Sequence, residues 1–384
     1  MSLLVDNIPQ LLCKFYKCKK IYLHEPFLDK KDLSSLKNCF QSKFISTAGS
    51  EVSHFEKKIS EITKSKHVIA VLNGTIGLYA SLKSINIKQD DEVIVPAITF
   101  VATANAVAHC GGIPHFVDIS LDDYGIDPIK LDLYLKKITI IKKNKCFNTK
   151  TKKYIKAIIP VHIFGNPSQI TDILKVAKKY KLTVIEDATE ALGSYFNNRH
   201  VGTFGKIGVF SFNGNKIITT GGGGAIVTND NKLAKKIRHL CSTAKVSHSY
   251  KFIHDQVAYN FKMPAINASL GCSQILKLKK LIKKKKKLNL QYQKLFSKTQ
   301  GVKIYKPQKK VNSNYWLQTL ILEKKTKNFK DKIILECLKN GIQVRPLWEI
   351  IASLKMYKKC PSMNLKNSRF AYNTVISLPS GVKL

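Results

Sequence analysis

The sequence predicts an α/β protein with a large, doubly wound, mostly parallel-sheet domain and a smaller α+β C-terminal domain. Helix-period and strand-like segments alternate from residue 51 to about 245, which is typical of a parallel sheet covered by helices on both faces. The pattern then changes to a long lysine-rich helix followed by shorter elements. A chain of 384 residues is also long for a single core. We expect an N-terminal segment (1–50) packed on the domains, a large domain (51–262) and a small domain (263–384).

The elements of the large domain are predicted in chain order from their periodicity. Residues 51–64 (EVSHFEKKISEITK) indicate an amphipathic helix, residues 67–72 (HVIAVL) a short buried strand, and residues 74–85 the helix that follows. Further strands are predicted at DEVIVP, IPHFVDI, IKAIIPVHI and LTVIED. The polar and basic segment 142–154 is expected to be a solvent-facing loop or hairpin before a strand.

The small domain is predicted to begin with one long helix, LKLKKLIKKKKKLNLQYQKLF. A narrow apolar stripe along it is assigned to Leu276, Leu278, Leu281 and Ile282. The lysine run is expected to be a solvated face, with binding to a membrane surface as an alternative. Strands at GVKIY, NYWLQTLILE and IQVRPLW and a helix at KDKIILECLKNG complete the predicted α+β domain.

The formal net charge of +40 raises the question of nucleic-acid binding. Only four of the 65 basic residues are arginine, whereas surfaces that read phosphate usually use the bidentate guanidinium fork. Lysine spread over solvated faces is the preferred interpretation, and a nucleic-acid or membrane-surface binder stays an alternative. The composition, 44% apolar and 23% charged, is that of a globular protein and excludes a disordered chain.

The cysteines and the N-terminus indicate a cytoplasmic protein. Nine cysteines are scattered without CxxC or Cys/His metal spacing, so we expect reduced thiols and no metal site. Asp6 and Pro9 interrupt the first apolar stretch, and no run is long enough to span a bilayer. We therefore expect no signal peptide and no stable membrane insertion.

Lys216 and Asp187 are predicted to meet at one edge of the sheet. Lys216 follows the strand GVFSF by a short turn and precedes four consecutive glycines, and Asp187 ends the strand LTVIED. Parallel strands end at the same edge, where ligands of doubly wound sheets bind. A buried carboxylate needs a cation or hydrogen-bond donors, and capping of the next helix is the alternative role for Asp187.

The turn between Leu72 and the helix that begins at Gly74 is predicted to bind phosphate, because a helix N-terminus exposes N–H groups and the positive end of its dipole. An ordinary N-cap by Thr75 is the alternative. A phosphate cradle, a buried carboxylate and a lysine together fit pyridoxal 5′-phosphate: the amine forms a Schiff base with the aldehyde, and the carboxylate keeps the ring nitrogen protonated.

Six segments in order resemble the DegT/DnrJ group of pyridoxal 5′-phosphate-dependent sugar aminotransferases: LNGTIGLYASL, PAITFVATANAVAHCGGIPHFVDI, PVHIFG, EDATEALGS, FSFNGNKIITTGGGGAIVTND and YNFKMPAINASLG. The resemblance covers nearly the whole chain. It points to the branch that acts on UDP-linked 4-keto-6-deoxy-N-acetylhexosamines, as in legionaminic acid and bacillosamine-type routes, and implies an aspartate-aminotransferase-like fold of type I. It also implies amine transfer from L-glutamate to C4 of the keto sugar, through pyridoxamine 5′-phosphate, for a surface-glycan amino sugar.

The resemblance implies roles for individual residues. Lys216 is the catalytic Schiff-base lysine and Asp187 the partner of the ring nitrogen, while Gly74, Thr75 and Ser211 bind the phosphate. Phe100 stacks on the cofactor ring, with core packing as the alternative, and Glu190 lies near the ring oxygen. Further matched positions are Asn260, which reaches the phosphate of the neighbouring subunit in a homodimer with shared sites, and the substrate-side residues His162, Asn213 and Arg345. A structural histidine and a surface ion pair are the alternatives for His162 and Arg345.

The sequence departs from the family pattern at four positions. Asn213 and Gly222 stand where many members have histidine and glutamate, which fits the UDP-sugar branch. Ala352 and Lys355 replace an expected histidine and proline, so the resemblance leaves the sugar-nucleotide specificity of the small domain open, though not the chemistry. A dehydratase of the same family, which lacks the Schiff-base lysine, is the alternative activity, and Lys216 argues against it.

Overall fold

A computed structural model describes residues 2–17, 20–308 and 310–382. Its α-helices are α1 Ser2–Tyr16, α2 Lys30–Gln41, α3 Ser50–Thr63, α4 Gly74–Ser84, α5 Ala102–His109, α6 Pro128–Ile138, α7 Ile170–Lys179, α8 Asn231–Cys241, α9 Ala265–Gln274, α10 Leu278–Leu295, α11 Lys330–Lys339 and α12 Lys366–Thr374. Its strands are β1 His67–Val71, β2 Glu92–Pro96, β3 Ile113–Val117, β4 Thr139–Lys142, β5 Lys145–Asn148, β6 Lys153–Ile158, β7 Thr183–Asp187, β8 Tyr195–Phe196, β9 Arg199–His200, β10 Ile207–Ser211, β11 Gly224–Thr228, β12 Lys245–Val246, β13 Ile253–His254, β14 Val302–Ile304, β15 Val311–Asn312, β16 Gln318–Leu322, β17 Arg345–Pro346 and β18 Val375–Leu378.

The large sheet has the strand order β1-β11-β10-β7-β6-β2-β3. The pairs from β10 to β3 are parallel, and β11 runs antiparallel to both of its neighbours. Strands β4 and β5 form an antiparallel hairpin whose second strand pairs with the beginning of β6. This hairpin confirms one of the two conformations predicted for the basic segment 142–154.

Alternate residues of each central strand pack on opposite faces of this sheet. In β2, Ile94 belongs to one hydrophobic cluster, whereas Val93 and Val95 belong to another. Because side chains on both faces of the sheet are buried, the sequences of these strands are continuous apolar runs rather than alternating apolar and polar residues. The predicted doubly wound architecture is thereby confirmed.

The smaller sheet has the order β14-β16-β18-β17 and is antiparallel throughout. Helix α1 contacts α11 beside this sheet, and a third cluster combines residues of α1, α10, α11, β14, β16 and β18. Helix α2 instead packs on α9, which also contacts α3. The N-terminal segment thus touches elements beside both sheets, while the domain boundaries at 50 and 262 stay predictions.

The long lysine-rich helix differs from its prediction in two respects. Helix α10 begins at Leu278, and Leu276, assigned to the apolar stripe, is 70% exposed. The buried face of α10 includes Lys285 at 1% exposure, so the lysine run is not entirely a solvated face. The reason is helical periodicity: Lys285 lies four residues after Leu281 and three before Leu288, which are both buried.

No helix within the described ranges is long and apolar enough to cross a membrane. The eight cysteines that lie in these ranges carry free thiols, and the ninth, Cys18, lies outside them.

Candidate active site

A cleft of about 390 Å³ opens at the carboxyl edge of the large sheet. Asp187 ends β7, Ser211 ends the neighbouring parallel strand β10, and Gly74 begins α4 after β1. Eight of the residues named from the sequence line this cleft: Gly74, Thr75, Phe100, Asp187, Glu190, Ser211, Asn213 and Lys216. The tertiary structure therefore brings together residues from four separate stretches of the chain.

The start of α4 forms one wall of the cleft. Asn73 caps this helix, because its Oδ1 accepts a hydrogen bond from Ile76 N at 2.9 Å. The alternative cap at Thr75 is thus wrong, and the first amides of α4, at Gly74 and Thr75, have no intrahelical acceptor. A Cβ at position 74 would lie 2.9 Å from Thr189 Cγ2, so glycine keeps the turn open.

The glycine run after Lys216 has a steric role at the same wall. Gly224 is opposite Val71 in the β1–β11 ladder. A Cβ at Gly224 would lie 2.6 Å from the carbonyl carbon of Asn73 and 2.9 Å from Gly74 N. Real Cβ atoms do not approach backbone this closely, so glycine at 224 permits the turn before α4 to sit beside β11.

Asp187 is buried and accepts three hydrogen bonds. Thr103 Oγ1 donates to Oδ2 at 2.7 Å, and the hydroxyl and amide of Thr189 donate to Oδ1 at 2.7 and 3.2 Å. The residues after β7 form turns, so the alternative in which Asp187 caps a following helix is wrong. Its hydroxyl partners hold the carboxylate in one orientation at the floor of the cleft.

Lys216 and Glu190 form the second polar pair of the cleft. The Lys216 amide donates to Asn213 O at 2.9 Å, which closes the turn that carries the side chain. Lys216 Nζ lies 3.6 Å from Glu190 Oε1, and both side chains are largely buried. The other carboxylate oxygen of Glu190 accepts from Phe164 N at 2.8 Å.

Burial raises the pKa of Glu190 to about 7. Desolvation is the largest cause, and the Lys216 ammonium and the Phe164 amide oppose it. A carboxyl group with this pKa can hold or release a proton near neutral pH. Glu190 is therefore a second group, beside Lys216, that can exchange a proton inside the cleft.

Aromatic side chains form the remaining walls. Phe100 is 54% exposed, which excludes the alternative that it is a core residue. Trp316 and Trp348 also line the cleft, and sequence reasoning missed both. They are the only two tryptophans of the chain, and this rarity was an available signal. Trp348 is stacked on Phe164, with ring centroids 5.2 Å apart.

Two substrate-side candidates lie away from the cleft lining. His162 is wholly buried, with Nε2 at 3.0 Å from Glu186 Oε2 and Nδ1 accepting from Ser168 N at 3.1 Å. These contacts favour the alternative of a structural histidine. Arg345 is exposed on β17, and one of its guanidinium nitrogens donates to Val344 O.

Asn260, the residue expected to act in a neighbouring subunit, is exposed and lies outside the cleft of its own chain. Its backbone forms an isolated antiparallel bridge with Ser242. The departures Ala352 and Lys355 lie in short 3-10 turns and do not line the cleft.

The donor set of the cleft fits pyridoxal 5′-phosphate. The open helix start at Gly74 and the Ser211 hydroxyl suit a phosphate, and the oriented Asp187 carboxylate suits a protonated ring nitrogen. The Lys216 amine reaches into the same space, and Phe100 offers an exposed ring.

Comparisons with known proteins identify the family. Residues 26–384 match the model of the DegT/DnrJ/EryC1/StrS aminotransferase family. The chain is 32% identical over 340 residues to GDP-perosamine synthase of Vibrio cholerae, covering 88% of this chain and 87% of that one. It is 30% identical over 371 residues to UDP-4-amino-4,6-dideoxy-N-acetyl-beta-L-altrosamine transaminase of Helicobacter pylori, covering 95% and 94%.

A solved structure agrees with these sequence matches. PseC of Helicobacter pylori, an aminotransferase involved in the biosynthesis of pseudoaminic acid, superposes with a TM-score of 0.84 at 29% identity and covers 94% of both chains. The fold of type I expected from the resemblance is confirmed. The chain therefore belongs to the DegT/DnrJ/EryC1/StrS aminotransferase family and is a pyridoxal 5′-phosphate-dependent aminotransferase of nucleotide sugars.

Proposed function

We propose that this enzyme moves an amino group from L-glutamate to C4 of a UDP-linked 4-keto-6-deoxy-N-acetylhexosamine. The observation that carries the amine-transfer step is the convergence of Lys216, Asp187 and the start of α4 on one cleft. The UDP-sugar substrate is supported by the similarity to the Helicobacter pylori transaminase, which extends over 95% of this chain. A GDP-linked keto sugar is the second candidate, because the GDP-perosamine synthase is slightly more similar at 32% identity.

The residues of the cleft divide the work of binding and proton transfer. The Gly74 and Thr75 amides and the Ser211 hydroxyl would hold the phosphate, and Asp187 would hold the ring nitrogen. When bound, pyridoxal 5′-phosphate supplies an aldehyde for the amine and a ring that withdraws electrons from the substrate carbon. Lys216 is the group placed to move the proton on one face of that carbon, which determines the stereochemistry of the new amine.

We also propose a homodimer in which Asn260 completes the partner's site. The segment just before Asn260 carries three highly exposed apolar side chains in a single chain: Tyr250 is 77% exposed, Phe252 80% and Val257 91%. Apolar side chains at this exposure are typical of a surface that another chain covers. The cytoplasmic location expected from the cysteines stays a prediction.

The alternatives are weaker on specific grounds. A family dehydratase would lack the lysine that here lies 3.6 Å from Glu190. A nucleic-acid binder has only the net charge of +40 in its favour. Retention on DNA with a steep salt dependence, by a protein that stays colourless with added cofactor, would support that reading.

The direct test of the proposed function is an amine-transfer assay. The purified enzyme is given L-glutamate and a panel of UDP-, GDP- and dTDP-linked 4-keto sugars, and aminated products are measured by mass spectrometry. Borohydride reduction should fix the cofactor on Lys216. Lys216→Ala should lose the fixed adduct and the transfer, whereas Lys232→Ala, at an exposed position on α8, should retain both. Normal transfer by Lys216→Ala would overturn the assignment.

The shared site is tested by mixing two inactive variants. If Asn260 acts across the dimer, a mixture of refolded Lys216→Ala and Asn260→Ala chains should regain up to roughly a quarter of the wild-type activity, because each mixed dimer contains one intact site. A mixture as inactive as either variant would contradict the sharing.

A further inference from the structure

We propose that Trp316 is a positioning residue that holds the Lys216 ammonium against Glu190. This inference rests on the proposed role of Lys216 and adds a residue that neither the motifs nor the resemblance assigned. The ammonium lies 4.1 Å from the centre of the indole ring and 3.6 Å from Glu190 Oε1. Trp316 is 4% exposed and lines the cleft, so this contact is made away from bulk water.

The contact is chemically specific. The face of an aromatic ring carries partial negative charge, and tryptophan attracts a cation more strongly than the other aromatic residues. A lysine side chain has four rotatable bonds and is otherwise poorly ordered. The carboxylate of Glu190 and the indole of Trp316 together restrict where the Lys216 amine can be. To react with an aldehyde, the ammonium would first pass a proton to Glu190, 3.6 Å away, and the aldehyde oxygen would then leave as water.

The indole is tied to the turn that carries the lysine. Trp316 Nε1 donates to the backbone oxygen of Asn215 at 2.7 Å, one residue before Lys216. The Trp316 amide donates to Asn314 Oδ1 at 2.9 Å. The ring and the Lys216 turn are therefore fixed relative to each other by a hydrogen bond as well as by packing.

A buried lysine anchors the other side of Trp316. Lys285 Nζ donates to Trp316 O at 3.1 Å, to Ser380 O at 2.6 Å, and lies 2.8 Å from His24 Nε2. Burial lowers the pKa of Lys285 to about 7, and the three acceptors match the three hydrogens of its protonated form. Lys285 thus joins α10, the N-terminal segment and the C-terminal segment at the backbone of Trp316, which explains why one member of a lysine run is buried.

The first test measures how fast the cofactor-free enzyme captures pyridoxal 5′-phosphate, from the visible absorbance and from the borohydride adduct on Lys216. Trp316→Leu removes the aromatic face and should slow capture by roughly 3- to 30-fold. Trp316→Phe keeps an aromatic face and should remain within about threefold of the wild type. Equal capture rates in Trp316→Leu and the wild type would overturn the proposal, as would a Trp316→Phe as slow as Trp316→Leu.

The second measurement is the affinity for pyridoxamine 5′-phosphate. It distinguishes a loss of Lys216 positioning from a general disruption of the cofactor site. Pyridoxamine 5′-phosphate has no aldehyde to react with Lys216, so its affinity reports on the other cofactor contacts. Quenching of the remaining tryptophan, Trp348, provides the titration signal. We expect Trp316→Leu to leave this affinity unchanged within about twofold. A loss of affinity as large as the loss of capture rate would show a merely structural role and overturn the proposal.

The third experiment tests whether Lys285 anchors the backbone of Trp316. Lys285→Met should slow capture in the same direction, and Lys286→Met, an exposed neighbour on α10, should not. Because Lys285 acts through Trp316, the slowing in the double variant should be less than the product of the two single effects. Independent, multiplying effects would overturn the anchoring role. If Lys285→Met does not fold, the capture rates of the Trp316 variants alone test the positioning role of Trp316.

The outcomes also separate this inference from the proposed function. An adduct absent from Lys216 in the wild type would contradict the proposed function. An adduct on Lys216 that forms at the wild-type rate in Trp316→Leu would contradict only the positioning role.

Discussion

Replacing Glu190 with glutamine is expected to change how the stability of the cofactor-free protein depends on pH. The pKa of Glu190 in the folded chain is raised to about 7 from an ordinary value of 4.5, mainly by desolvation. The protonated form is therefore the one that the fold favours. Its contribution to stability is fully present below about pH 4.5 and is lost as the pH rises through about 7.

The size of this loss follows from the difference between the two pKa values. Each pKa unit corresponds to about 1.4 kcal/mol, so ionisation of Glu190 lowers the free energy of unfolding by about 3 kcal/mol between acid and weakly alkaline pH. Glutamine does not ionise, and its carbonyl can still accept from Phe164 N. The attraction between the Lys216 ammonium and the Glu190 carboxylate is already contained in this pKa, so it adds no separate pH dependence.

The assay is the difference in unfolding midpoint between Glu190→Gln and the wild type from pH 5 to pH 8. Across this pH range the change amounts to about 2.5 kcal/mol, which corresponds to about 3 °C for a chain of this size, so the variant should gain that much on the wild type as the pH rises. Glu61→Gln, at an exposed position on α3, corrects for the added net charge. A midpoint difference that stays constant across this range, after that correction, would show that Glu190 does not ionise with a raised pKa in the folded chain.

Three further predictions concern the walls of the cleft and the packing around it. Asp187→Asn should retain the cofactor weakly and slow amine transfer at least about 100-fold, because the ring nitrogen loses its anionic partner. A rate of amine transfer within tenfold of the wild type, measured by stopped flow, would contradict this. Gly224→Ala should displace the turn at Asn73 and weaken cofactor binding, since its Cβ would lie 2.6 Å from backbone; an unchanged dissociation constant would show that β11 shifts freely. Lys277→Met should cost about 3 kcal/mol of unfolding free energy, because the buried Asp32 carboxylate loses the ammonium 2.5 Å away and keeps only neutral hydrogen-bond donors such as Asp29 N and Gln274 Nε2. Chemical denaturation that shows no more loss than in the exposed Lys280→Met variant would contradict it.

Most of the fold could be predicted because its signals are local. The strands β1, β2, β3 and β7 are short apolar runs bounded by turns, and the helices between them show helical periodicity. The C-terminal positions of Asp187 and Ser211 on neighbouring strands then follow from parallel pairing. The start of α4 at Gly74 follows from the same alternation of strand-like and helix-period segments along the chain.

Other features of the site could not be predicted because they depend on partners distant in sequence. His162 is buried because Glu186 and Ser168 satisfy both of its ring nitrogens, and no local pattern shows that. Trp316 reaches the cleft only because the bend before β16 lies beside the Lys216 turn.

The α/β class follows from the alternating apolar segments and the family from the resemblance of six motifs, because both are properties of the residues in chain order. Residues of one type that occupy different environments are distinguished only by their three-dimensional packing. Among the lysines of α10, Lys285 is buried while its neighbours Lys284 and Lys286 are exposed. The physical reason is that burial and electrostatic environment depend on three-dimensional neighbours: three acceptors from distant segments surround Lys285, and an indole and a carboxylate surround Lys216.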